Sequence, residues 1–155
     1  MQRVLEGRIE QASGPVAIVV SRYNESITEN LLQGAFTTLT EHGVADHQIT
    51  VARVPGAWEI PIVVRKLADA QQYRAIIALG AVIKGDTTHD EYINHQLSQS
   101  LGRIALESGV PTLFGILTCQ TLEQAIHRSG GKVGNKGSEC AEAALLMIDL
   151  MSQLD

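Results

Sequence analysis

Four short apolar runs, each followed by a stretch with a different periodicity, constrain this chain more than anything else in it. Val16-Ala-Ile-Val-Val20 is uninterrupted and β-branched, the pattern of a strand buried on both faces. Ile49 to Val54, Ala75 to Val82 and Thr112 to Leu117 read as further strands of the same kind. Between the runs the apolar residues recur at helical spacing: Ile27, Leu31, Ala35 and Leu39 after the first, then Trp58 to Ala70 and Asp90 to Ser108. A short helix to Arg128 and, after a Gly130–Gly137 loop, an Ala/Leu/Met-rich helix complete the chain. Ser26-Ile-Thr-Glu29 and Thr121-Leu-Glu-Gln124 have capping-box spacing and predict two helix starts, while Gly43 and Gly109 predict two ends.

Strands alternating with helices imply right-handed βαβ units and a parallel sheet covered on both faces. The expected fold is therefore α/β, a flavodoxin-like three-layer sandwich with a four-stranded parallel sheet flanked by helices on both faces. At 155 residues the chain is sized for a single domain, 1–155. Apolar residues make up 45% and charged residues 19%, which excludes a disordered or fibrous reading. The net charge of −5 lacks the positive field that nucleic acids and anionic membranes select, so neither is an expected partner. The longest apolar run, Ala75 to Ile83, falls well short of the roughly 18 residues a membrane span needs. No secretory leader is legible at the amino terminus, so the cytoplasm is the expected compartment. Cys119 and Cys140 form no Cys-x-x-Cys pair and are expected to be reduced thiols.

In open parallel sheets ligands bind beyond the carboxyl ends of the strands. The segments there are Ser21 to Glu25, Pro55 to Glu59, Lys84 to His89 and Thr118 to Gln120. Lys84-Gly-Asp-Thr-Thr-His89 leads from a strand into a helix start, where unpaired backbone N–H groups favour an anion. Gly85 allows close approach and Thr87 and Thr88 add hydroxyl donors; the plainer reading is a well-capped helix. His89 sits at the same helix start, and imidazole exchanges protons near neutrality. An exposed loop histidine is its alternative. The five histidines make no His-x-x-x-His or His-Glu-x-x-His spacing, so no metal is expected. Val54-Pro-Gly-Ala-Trp-Glu59 presents compact backbone with Trp58 as either a stacking surface or a core residue. Tyr23 lies in a site loop and suits a planar heterocycle. Arg128, Lys132 and Lys136 in a glycine-rich setting suit a phosphate or carboxylate, or else simply a solvated loop. These residues alone describe a domain for a planar, phosphorylated small molecule; they do not specify a reaction.

Five motifs, in order, extend that reading: Ser21-Arg-Tyr-Asn24 followed by Ile27-Thr28, Val54-Pro-Gly-Ala-Trp-Glu-Ile-Pro61, Gly80-Ala-Val-Ile-Lys-Gly-Asp-Thr-Thr-His89, Phe114-Gly-Ile-Leu-Thr118 and Gly134-Asn-Lys-Gly137. From about residue 14 to the end they resemble the lumazine synthase family of riboflavin biosynthesis. The resemblance implies condensation of 5-amino-6-(D-ribitylamino)uracil with L-3,4-dihydroxy-2-butanone 4-phosphate, giving 6,7-dimethyl-8-ribityllumazine, phosphate and water, the penultimate step of the pathway, without a metal or organic cofactor. It implies that Tyr23 stacks on the pyrimidine and that Asn24, the Gly56-Ala57-Trp58-Glu59 turn and Val82-Ile83-Lys84 hold the ring and ribityl chain. Gly85, Asp86, Thr87 and Thr88 would cradle phosphate, with Arg128 pairing to it from a neighbouring subunit that also brings Phe114 and Lys136. His89 would shuttle protons. Tyr23 replaces the family's commoner phenylalanine or tryptophan, His127 stands where glutamate is usual, and Cys119 where threonine is frequent.

The resemblance also implies a homo-oligomer of pentamers. The short Gly130–Gly137 loop is similar to that of members whose pentamers close into an icosahedral shell, and riboflavin synthase is the partner such a shell would enclose. Residues 1–14 are the segment that would pair with a neighbour's sheet edge, and Pro15, lacking an N–H, limits where pairing begins. A non-catalytic flavin or lumazine carrier or shell protein is the alternative; it would keep Tyr23 and the Trp58 turn but need neither His89 nor Arg128.

Overall fold

A computed structural model describes residues 1–155. Strands β1 (Val16–Ser21), β2 (Ile49–Val54), β3 (Ala75–Ile83) and β4 (Thr112–Cys119) form one parallel sheet in the order β2-β1-β3-β4. Helices α1 (Glu25–Glu41), α2 (Ile60–Asp69), α3 (His89–Ser108), α4 (Leu122–Arg128) and α5 (Lys136–Leu154) connect and cover it. This is the three-layer α/β arrangement expected from the alternation of patterns.

The period of two along each strand divides the core in two. Val16, Ile18 and Val20 of β1 with Ile77, Leu79 and Ala81 of β3 meet Leu31, Leu39, Leu145 and Ile148 from α1 and α5. Ala17 and Val19 with Ile76 and Ala78 meet Ile60, Val64, Leu97 and Leu101 from α2 and α3 on the opposite face. β1 and the first eight residues of β3 are buried throughout, which is why their runs are apolar without alternation. α1 and α5 cross so closely that Gly137 lies against the Leu31 carbonyl, where any Cβ would collide with backbone.

Several boundaries differ from the sequence reading. β4 runs to Cys119, two residues further than expected. The Trp58 helix begins as a single 3₁₀ turn, Ala57–Glu59, before α2 starts with Pro61 in its first turn. The expected Gly130–Gly137 loop is a small antiparallel hairpin, β5 (Ser129–Gly131) with β6 (Gly134–Asn135), and Lys136 and Gly137 already belong to α5. Glycines at positive φ, Gly130 and Gly134, permit this turn, and that composition is what reads as a loop. Residues before Gly14 lie along α5 of the same chain: Arg8 N–H donates to Asp149 Oδ2 at 2.8 Å and Gln153 Nε2 donates to the Glu6 carbonyl at 2.8 Å. No helix is long and apolar enough to cross a membrane, and both cysteines are free and buried.

Candidate active site

Strand order places the site. The chain leaves β1 toward β2 and leaves β3 toward β4 on the opposite side, so β1 and β3 flank the point where the direction of winding reverses and the connections part. There a cavity of about 610 Å³ opens at the carboxyl edge, lined from the segments after β1 and β2, the end of β3 and the start of α3.

Tyr23 and Asn24 enter it through the backbone. Arg22 N–H donates to the Val54 carbonyl at 2.8 Å and Tyr23 N–H to the Pro55 carbonyl at 3.1 Å, pinning the turn after β1 to the turn after β2. Asn24 adopts the left-handed conformation, φ 63° and ψ 48°, and its Nδ2 donates to the Ala81 carbonyl at 2.9 Å, across to β3. That use of Asn24 displaces the predicted Ser26 capping box. α1 starts at Glu25, and its first bonded N–H groups, on Ile27 and Thr28, donate to the Asn24 carbonyl at 3.0 Å each. Ser26 lies inside the first turn instead of capping it. The Thr121 box does form on its helix side: Thr121 Oγ1 accepts from Gln124 N–H at 3.2 Å, while Gln124 Oε1 accepts from Gln120 N–H at 2.8 Å.

Tyr23 is 74% exposed and Trp58 55%, so the core reading of Trp58 does not hold and both rings stand beside the cavity. Gly56 and Ala57 line the same wall, and the Glu59 carboxylate folds back toward Gly56. Val82 and Ile83 form the floor. Lys84 N–H donates to the Cys119 carbonyl at 2.9 Å, extending the sheet by one bond, while its side chain lies outside the cavity. Gly85, Thr87 and His89 line the opening; Asp86 and Thr88 are exposed beside it. No backbone carbonyl accepts from the N–H groups of Gly85, Asp86, Thr87 or Thr88, and a Cβ on Gly85 would meet nothing within 4 Å. Consecutive free donors over open space, leading into the positive end of a 20-residue helix, can receive an anion. His89 N–H donates to Thr87 Oγ1 at 3.3 Å.

Phe114, Arg128 and Lys136 are not brought to this cavity. Phe114 is half-exposed on the edge strand β4, Arg128 ends α4 with Nη1 at 3.5 Å from Cys119 Sγ, and Lys136 opens α5. His127 Nε2 faces Glu123 Oε1 at 3.5 Å one turn back on α4. Pro55, Ala81, Asp90 and Ile93 also line the cavity and were not singled out from sequence. The i, i+4 spacing of His89 and Ile93 would have found the latter; Ala81 contributes a carbonyl, for which side-chain patterns carry no signal. No group of three or more His, Cys, Asp or Glu side chains is placed to hold a metal ion.

Aromatic rings, free backbone donors and a histidine gathered at the reversal of a parallel sheet make this a small α/β domain with a small-molecule site at its carboxyl edge. The family model of 6,7-dimethyl-8-ribityllumazine synthase matches residues 14–152, and the chain belongs to that family. Membership makes it a transferase with lumazine synthase activity in riboflavin biosynthesis, acting on small molecules in an oligomeric assembly.

Proposed function

We propose that this cavity condenses 5-amino-6-(D-ribitylamino)uracil with L-3,4-dihydroxy-2-butanone 4-phosphate to give 6,7-dimethyl-8-ribityllumazine, phosphate and two molecules of water. The observation that carries the reading is the convergence, in one cavity, of Tyr23, Glu59 and His89 with the free donors before α3. The pyrimidine stacks on Tyr23 beside the Asn24 turn, against Gly56, Ala57 and Trp58 and the Val82-Ile83 floor, with Lys84 at the rim. Glu59 accepts from ribityl hydroxyls. Phosphate rests on Gly85, Asp86, Thr87 and Thr88.

The chemistry requires protons to move several times at one place. The substrate amine adds to the ketone and water leaves as the imine forms. A proton is then taken from the neighbouring carbon as phosphate departs. The resulting enol becomes a ketone, and the ribityl nitrogen closes the ring with loss of water. His89 serves these transfers, and holding both substrates in register supplies much of the acceleration without a covalent nucleophile.

Arg128, Phe114 and Lys136 complete the site from the adjacent copy, a reading supported by their position outside this chain's cavity. Two unlike apolar surfaces support a head-to-tail ring: Trp58, Ile62 and Tyr92 on the α2/α3 side, and Phe114, Leu122, Ile126 and Val133 on the β4/α4 side, all exposed. Heterologous contacts close into a ring when the rotation between copies divides a full turn. A pentamer, closed into an icosahedral shell around riboflavin synthase in the cytoplasm, is the assembly we assign, with residues 1–14 released from α5 to pair with a neighbour's sheet edge. The chain acts as a single domain.

The test is to mix purified protein with both substrates and follow lumazine absorbance over the uncatalysed background. A rate proportional to protein is expected. A rate at background, from protein that still binds lumazine, would replace the synthase with a carrier.

A further inference from the structure

The cavity contains one carboxylate that the proposed reaction leaves unused. Asp90 is the second residue of α3, and it lines the same cavity as His89, Gly85, Thr87 and Ile93. Its Oδ1 is shielded from solvent and has no hydrogen-bond donor within the chain. An ionised carboxylate oxygen only accepts hydrogen bonds, and withdrawing it from water without a donor is costly. The missing donor must therefore come from what fills the cavity or from a second copy. Of the two substrates, the phosphorylated one brings negative charge and acceptor oxygens, which a carboxylate repels, and a single hydroxyl as donor. The ribitylaminopyrimidine is uncharged and carries amino N–H groups and a chain of hydroxyls.

We propose that Asp90 contacts substrate, accepting a hydrogen bond from a hydroxyl or N–H of the uncharged, donor-rich partner, and so sets affinity for that substrate and not for the phosphorylated one. The proposal rests on the assignment of this cavity to lumazine synthesis. It gives the cavity two carboxylates, Glu59 after β2 and Asp90 on α3, with acceptors offered to the same substrate from different segments.

The experiment compares wild type with Asp90→Leu and Asp90→Asn. Calorimetric titration with the ribitylaminopyrimidine alone reads its affinity, steady-state kinetics reads KM for each substrate, and sedimentation reads the assembly. Asp90→Leu is expected to weaken pyrimidine binding by roughly tenfold or more, the effect of losing a hydrogen bond to a charged group, with KM for the keto phosphate unchanged or lowered by loss of the repelling charge, and the sedimentation unchanged. Asp90→Asn keeps an oxygen and the shape of the site; a smaller loss is expected, and this variant carries the test if the leucine protein does not fold. Unchanged pyrimidine affinity in the folded variants overturns the proposal. So does an equal rise in both KM values, and so does altered sedimentation at unchanged affinity, which assigns the donor to a second copy. A wild type that binds the pyrimidine but makes no lumazine removes the synthase reading and leaves the Asp90 contact to be judged by the titration; a wild type that binds neither substrate overturns both.

Discussion

His89 begins α3 with its backbone held by Thr87, so its imidazole is presented from a rigid helix and not from a free loop. Replacing it with alanine should lower kcat by roughly 10²- to 10⁴-fold, the usual contribution of a positioned acid or base, while pyrimidine binding persists; equal turnover in the variant would remove His89 from its role. Cys140 behaves differently. Burial against the sheet pushes its thiol from 9.0 to about 11, so the folded state holds the proton after the unfolded chain has released it. Stability is therefore fully present below about pH 9 and falls as pH rises toward 11, because the unfolded state binds fewer protons in that window. Denaturant midpoints measured across it should decline, and Cys140→Ala should flatten the decline. At this scale the sequence pointed to Tyr23, Gly56, Glu59, Thr87 and His89 through their places after strands. Asp90 escaped because an acidic residue in a first helical turn is ordinary; only its shielded, unpartnered oxygen sets it apart.

Elements were legible wherever period and length agreed. β1 and β3 show as apolar runs because both their faces are covered, and α3 ends at Gly109, which takes φ 75°. Starts were harder. Thr121 and Ser26 carry the same spacing, yet only Thr121 caps, because α1 already starts at Glu25, with Asn24 as its N-cap in the left-handed conformation and the Asn24 side chain engaged by the Ala81 carbonyl. At α5 the cap is Asn135, whose Oδ1 accepts from Ser138 N–H at 3.1 Å while Nδ2 donates to the Asn30 carbonyl of α1 at 2.9 Å. Asn135→Ala removes both bonds and should cost at least about 1 kcal/mol, read from urea denaturation. Gly137→Ala should cost about 2 kcal/mol or more, since its methyl would enter the Leu31 carbonyl and force α1 and α5 apart. Free energies within experimental error of wild type would show that the two helices can separate at this crossing without loss.

On the scale of the whole molecule, Arg128 lies outside the cavity that its own chain forms, which makes a direct prediction for mixtures. His89→Ala and Arg128→Ala are each expected to be poorly active, the second through a rise of roughly tenfold or more in KM for the phosphate substrate. If a site takes His89 from one copy and Arg128 from the next, dissociating and reassembling the two variants together should restore activity toward about a quarter of wild type, the random share of sites with both residues. Mixed oligomers verified by native mass spectrometry that recover no activity would place both residues in one copy's site. The order of strands and helices and the segments where function lies followed from the sequence alone, because burial on both faces leaves an unbroken apolar run in a strand and burial on one face leaves a period of 3.6 in a helix. Which of those segments meet did not. The strand order β2-β1-β3-β4, the bond from Asn24 to Ala81, and the separation of Arg128 and Lys136 from the cavity all depend on contacts between residues far apart in the chain, and local pattern carries no record of them.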